Sequence, residues 1–156
     1  MSPVDYHLHT RLCGHASGEL EEYLEQAVRL GIREVGFSDH LPLYFLPPGK
    51  TIPDYAMGEE ELPLYVEMVQ NCARKFPLRV SLGIEADYVP GCEKKLAALL
   101  SRYPFDYVIG SVHFLDGWGF DNPAEMEEYS RRDLDRVYEE YFALVQQAAL
   151  SGLFDI

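Results

Sequence analysis

Residues 105–114 read FDYVIGSVHF, an almost unbroken apolar run of β-branched and aromatic residues that ends beside a histidine. A strand with one wet face alternates polar and apolar positions. A run this continuous belongs instead to a strand covered on both faces, as in parallel sheets layered by helices. Working upstream, GCEKKLAALLSRYP (91–104) has helical spacing and LRVSLGIEADYV (78–89) is again strand-like. Before these come GEEELPLYVEMVQNCARKFP (58–77), a helix with Pro63 in its first turn and Pro77 at its end, and REVGFSDH (33–40), a strand. In GELEEYLEQAVRLG (18–31), Leu20, Tyr23, Leu24, Ala27 and Val28 recur at three- and four-residue spacings, and Gly31 stops the pattern as a C′ glycine does. Val4–Tyr6 opens the series as a strand.

Downstream, Ser130 starts a Ser-x-x-Asp sequence that reads as a capping box. It leads into a helical stripe of Leu134, Val137, Tyr138, Tyr141, Val145 and Ala148 that Gly152 ends, and LFDI (153–156) begins a fifth strand. Strand and helix therefore alternate four times, which predicts an α/β fold of right-handed βαβ units around a parallel sheet or barrel. Two connections are long, 41–57 and 115–129, and loops of that length are more often functional than idle. Tyr44 and Phe45 in the first read either as a lid or specificity wall, or as packing over a barrel mouth. A natural domain seldom stops inside a buried strand, so the ending at Ile156 predicts a truncated barrel, one domain over 1–156 that is incomplete at its C-terminus.

The 156 residues suffice for one domain with a real core, and 47% hydrophobic with 13% aromatic residues excludes disorder. Lys plus Arg number 13 against 26 Asp plus Glu, and with no basic cluster in a chain of net charge -13, duplex nucleic acid is excluded as the main partner. Most of the surplus acid sits on solvated helix faces such as GELEEYLEQA. Cys13, Cys72 and Cys92 form no C-x-x-C pair, which argues against a disulfide framework or zinc ribbon and fits a reducing cytoplasm. No run approaches the roughly 18 apolar residues of a membrane span, and no signal-like segment opens the chain. The oligomeric state is not set by the sequence.

Chemistry in parallel α/β folds gathers at the C-terminal ends of the strands. His7 and His9 end the first strand, His15 follows in its loop, His40 ends the second and His113 the fourth. All five histidines fall on one rim. Glu85 ends the third strand, and because i and i+2 share a strand face, the H-x-H pair can direct two imidazoles at one ion. Imidazole with carboxylate suits Zn, Mn or Fe, and five histidines exceed what one tetrahedral ion needs. Clustered metals activate a water and neutralise charge on a phosphoryl group. Asp39 reads as a carboxylate that orients a ligand imidazole. Asp87 is a further candidate, since alternation lets it face inward with Glu85, and Cys13 reads as a structural thiol near the site. Arg11 and Lys50 are the candidate phosphate anchors.

HLHTRLCGHA (7–16), GFSDH (36–40), GIEADY (83–88) and YVIGSVHF (107–114) resemble, in order, the motifs of the PHP (polymerase and histidinol phosphatase) superfamily, and most of all its histidinol-phosphate phosphatase branch. The resemblance implies a distorted (β/α)7 TIM-like barrel of which this chain is the N-terminal part. It also implies three divalent metals and hydrolysis of the phosphomonoester L-histidinol phosphate in histidine biosynthesis. Carried onto this sequence, it makes His7, His9 and Glu85 ligands of one metal, with Glu85 bridging to a second that His113 holds and His15 and His40 on the third. The family supplies further ligands beyond Ile156, so the isolated chain is expected to bind metal incompletely. Two rival readings are another PHP-type phosphoesterase, such as a nuclease on single strands, and a noncatalytic metal-binding half-barrel.

Overall fold

The computed structural model describes residues 3–47 and 49–156. Four strands, β1 (Val4–Leu8), β2 (Glu34–Phe37), β3 (Arg79–Asp87) and β4 (Tyr107–Ser111), form one parallel sheet in the order β1-β2-β3-β4. Strand order follows chain order, as in consecutive units of a (β/α) barrel. Helices α1 (Leu20–Arg29), α2 (Leu62–Ala73) and α3 (Glu93–Leu100) make the crossovers. The main core lies between them and the sheet, with Leu24, Val35, Phe37, Leu62, Tyr65, Ile84 and Leu96 almost wholly buried.

The sheet is strongly curled, and one side chain measures it. Tyr107 reaches from β4 across β3 and β2 to donate its hydroxyl to the carbonyl of Tyr6 on β1, 2.6 Å away. The ring passes where two glycines leave room: a Cβ on Gly83 would lie 2.2 Å from Tyr107 Cζ, and one on Gly36 would lie 2.0 Å from its hydroxyl oxygen. Burial pushes the pKa of this phenol well above its ordinary value.

Local chemistry sets most element ends. Glu19 caps α1 in a reciprocal box with Glu22, Gly31 follows it at φ 72°, and Pro63 sits in the first turn of α2. α2 is shorter at both ends than its sequence pattern, because 59–61 and 74–75 form turns. The last helix, α4 (Leu134–Ser151), begins at Asp133, whose side chain accepts from Asp135 N; the expected Ser130 cap lies instead in a 3₁₀ segment over Pro123–Arg131. Only Val137, Leu144 and Ala148 of α4 are fully buried, whereas Leu134 and Tyr138 of the expected stripe are 52% and 62% exposed.

The connection 115–129 is structured. β5 (Phe114–Leu115) and β6 (Trp118–Gly119) form a small antiparallel hairpin, turned by Asp116 and Gly117 at positive φ. Trp118 packs against Tyr129 at 4.7 Å, and Arg132 lies 4.4 Å over its ring. With Leu115, Val137 and Leu144 this makes a second, smaller core under α4. Residues 153–156 are not a strand, although Asp155 N donates to Val108 O and Gly110 N to Ile156 O, both at 2.9 Å along the β4 edge. Among the described residues no helix is long and apolar enough to cross a membrane.

Candidate metal centre

The C-terminal ends of β1–β4 bring four imidazoles to one carboxylate. Glu85, on β3 and 4% exposed, has Oε2 at 3.0 Å from His7 Nε2, 3.2 Å from His9 Nε2 and 3.3 Å from His40 Nδ1. Its other oxygen lies 3.6 Å from His113 Nε2. His15 completes the cluster without touching Glu85, its ring 5.1 Å from His9 and 5.3 Å from His40.

The H-x-H pair is placed by a distortion. From Asp5 to Leu8 the first strand advances three residues while its partner advances two, Val35 to Phe37, so β1 carries an extra residue where the histidines begin. His7 and His9 nevertheless converge, with ring centroids 5.0 Å apart. His40 lies beyond the end of β2 but stays in register with β3 through a bridge to Glu85, in which Glu85 N donates to Asp39 O and Leu41 N to Glu85 O.

Burial alone pushes the Glu85 carboxyl upward in pKa, but hydrogen bonds from His9 and His7 and the charges of His40 and His113 outweigh it and hold the group down at about 2. His40 is pushed down to about 3 by burial, against the pull of Glu85 and with the neighbouring histidines adding to the drop. His113 goes the other way: burial lowers it, yet the hydrogen bond and charge of Asp87, helped by Glu85, raise it to about 8.

The two aspartates have separate tasks. Asp87 Oδ1 lies 2.9 Å from both the backbone nitrogen and Nδ1 of His113, so Asp87 orients an imidazole. Asp39, expected in that task, is wholly buried and receives the backbone N–H of Thr10 at 2.6 Å and the Thr10 hydroxyl. The reason is depth: Asp39 points under the β1 turn, where Thr10 also caps the 3₁₀ turn Arg11–Cys13. Cys13 is buried beneath the site, its sulfur accepting His40 N at 3.1 Å, and burial pushes its thiol pKa up.

Arg11 and Lys50 are not brought to the cluster. Arg11 is half exposed and pairs with Glu19 at 3.4 Å, because the 3₁₀ turn carries it outward toward α1. Lys50 lines a separate cavity of about 580 Å³ with Lys95 and Arg102, whose walls include none of the five histidines or Glu85. Thr10 and Tyr55 are the residues that sequence reasoning missed. Thr10 follows the H-x-H pair directly, the one signal that marked it. Tyr55, in TIPDYAM (51–57), had none.

The donors fall into groups whose ligand atoms lie within 4.8 Å of one another: His7–His9–Glu85, His40–Glu85–His113 and His9–His15–His40, with His9–Cys13–Asp39 beneath. His9 Nδ1 is buried without a hydrogen-bond partner, and the other donors converge nitrogen and carboxylate oxygen on shared points. Imidazoles crowded around one carboxylate are costly as bare charges and fit a divalent transition-metal ion, which takes neutral imidazole and ionised carboxylate together.

Comparison with known proteins places the chain in a family. The chain is 47% identical over 153 residues to a Deinococcus radiodurans protein assigned as a histidinol-phosphatase, covering 97% of this chain and 57% of that one. It is 29% identical to the histidinol-phosphatase of Bacillus subtilis, covering 98% of this chain and 62% of that protein. The chain thus spans about six-tenths of the length of these curated relatives. Among solved structures it resembles a chain from Listeria monocytogenes assigned as a histidinol phosphatase, at TM-score 0.66 and 28% identity, over 75% of this chain and 47% of that one. The histidinol phosphate phosphatase of Lactococcus lactis, solved with Zn, L-histidinol and phosphate, shares the fold at TM-score 0.62 and 22% identity, over 73% of this chain and 41% of that one. The PHP domain matches residues 5–156, and the chain belongs to the PHP domain family.

Proposed function

We propose that the whole protein hydrolyses a phosphomonoester, L-histidinol phosphate, to L-histidinol and phosphate in histidine biosynthesis. One observation carries the reading: a single buried carboxylate, Glu85, is met by four imidazoles from four strand ends, in a chain 47% identical to a relative assigned that activity. The three donor groups would hold divalent ions of the Zn, Mn or Fe class, three at most, and Glu85, His9 and His40 each belong to two of the groups. Such ions, when bound, supply a nucleophilic water at neutral pH and neutralise charge on the phosphoryl oxygens.

The protein's own residues prepare that chemistry. Glu85, with its pKa at about 2, stays ionised across the physiological range and offers both oxygens as ligands. His40, at about 3, stays neutral with a lone pair free. Asp87 fixes His113 with Nδ1 engaged and Nε2 directed toward Glu85. An ion held by His113 would need its Nε2 lone pair free of a proton.

The test is phosphate release from L-histidinol phosphate by the native full-length protein with Mn, Zn or Fe, beside His9→Ala and beside a dinucleotide as substrate. Turnover of histidinol phosphate that His9→Ala abolishes supports the proposal. Release from the dinucleotide alone replaces it with the nuclease reading, and tight metal binding without turnover of either replaces it with the noncatalytic one.

A further inference from the structure

The long 41–57 connection returns over the metal centre and delivers one ring into it. Tyr55 lies nearly parallel to His40, with centroids 4.9 Å apart and planes at 22°. It stands edge-on to His113 at 5.9 Å and to Phe114 at 5.5 Å. Its hydroxyl, 3.5 Å from Asp87 Oδ2, makes only a long contact.

Two sets of contacts hold that ring in place. Tyr44 donates its hydroxyl to Asp87 O at 2.7 Å, and Phe45 packs edge-to-face between Tyr44 and Phe114, at 5.5 and 5.0 Å. At the tip, the turn that ends at Tyr55 presses on the loop between His9 and His15. Asp54 has φ 55°, and Gly14, at φ 79°, packs so closely that a Cβ there would lie 2.7 Å from Asp54 Cα. A left-handed aspartate against a required glycine is conformational cost spent on placing the next residue.

His40 needs such a neighbour. The Cβ–ring torsion of histidine is broad, so an imidazole rotates readily unless something faces its plane. The other rings around His40 stand at steep angles, His9 at 63°, His15 at 58° and His113 at 81°. Among the aromatic and imidazole rings of the described residues, Tyr55 alone lies near parallel to the His40 ring.

We infer that Tyr55 is a positioning residue of the metal centre, stacking on His40 to hold Nδ1 toward Glu85 and the ring edge open to the His9–His15 group. This rests on the divalent-metal part of the proposed function and not on the substrate. The plane of the ring does the positioning, and the hydroxyl is dispensable.

The experiment is Co(II) titration of the metal-free native full-length protein, followed by visible absorption and calorimetry, for the unaltered chain, Tyr55→Leu and Tyr55→Phe. Leucine keeps the apolar bulk without a stacking plane. Tyr55→Leu is expected to weaken its cobalt binding by roughly tenfold and to alter the visible band, with Tyr55→Phe restoring both, as for residues that orient ligands in other metal sites. Cobalt binding and a spectrum in Tyr55→Leu equal to those of the unaltered protein, or a Tyr55→Phe as weak as Tyr55→Leu, overturn the inference. Should Tyr55→Leu not fold, the unaltered protein decides by NMR: an NOE from the Tyr55 ring to the His40 imidazole supports the stack, and its absence overturns it. Phosphate release measured alongside separates the two readings, because an inert unaltered protein sinks the phosphatase assignment while the cobalt comparison stands.

Discussion

Asp87 grips His113 at two points, its Oδ1 lying 2.9 Å from both the backbone nitrogen and the ring Nδ1. One carboxylate oxygen thereby fixes where the residue sits and how its ring is turned, leaving Nε2 to face Glu85 Oε1 at 3.6 Å. Asp87→Asn is expected to lower divalent-ion affinity by about 10- to 100-fold, as loss of such an outer carboxylate does elsewhere. Competition with a chromophoric chelator measures it, and unchanged affinity sinks the assignment.

Thr10 and Asp39 form a buried pair that ties the end of β1 to the end of β2. Thr10→Val keeps the shape but removes the hydroxyl donor to Asp39, leaving one oxygen of a wholly buried carboxylate short of a partner. The expected loss is about 1–3 kcal/mol in denaturant unfolding of the metal-free protein, with Thr10→Ser near neutral.

Gly83→Ala drives a methyl into the Tyr107 ring, 2.2 Å from Cζ. Overpacking of this kind costs about 1–3 kcal/mol, read as a lower unfolding midpoint. Gly83→Ala combined with Tyr107→Leu should recover part of that loss, since leucine vacates the space; equal losses in the single and double variants would show that the ring does not set the cost.

The metal-free protein is expected to be most stable near pH 6.5. The Glu85 carboxyl is depressed to about 2 from 4.5, so its contribution is present above 4.5 and lost as pH falls through 2. His40, lowered to about 3 from 6.5, leaves the unfolded chain binding the extra proton, so stability falls with pH between 6.5 and 3. His113 is raised to about 8, so its contribution is complete below 6.5 and is lost as pH rises through 8. Melting in chelator across pH 4–9 checks the profile, and Asp87→Asn should flatten its alkaline limb because Asp87 is the partner that raises His113.

The apolar run FDYVIGSVHF and the repeated strand–helix rhythm made the parallel α/β sheet legible, because burial on both faces leaves a mark in every residue of a strand. The rim of His7, His9, His15, His40, His113 and Glu85 was legible for a related reason: strand ends are readable, and residues at strand ends converge. The hairpin at Phe114–Gly119 was not, since two-residue strands carry no periodicity. Nor was the start of α4, where Asp133 and Ser130 are both good caps and packing alone selects one.

The sequence by itself determined the alternation of strands with helices and which residues stand at the strand ends, both of which depend on residue type and local spacing. Only the tertiary structure decided that Asp87 hydrogen-bonds His113 while Asp39 hydrogen-bonds Thr10, that Arg11 and Lys50 lie away from the cluster, and that Tyr55 comes back over His40. Those outcomes depend on how far β1 bulges, how tightly the sheet curls around Tyr107 and where a long loop lands. The contacts behind them join residues as far apart in the chain as Tyr6 and Tyr107, at separations that no local pattern encodes.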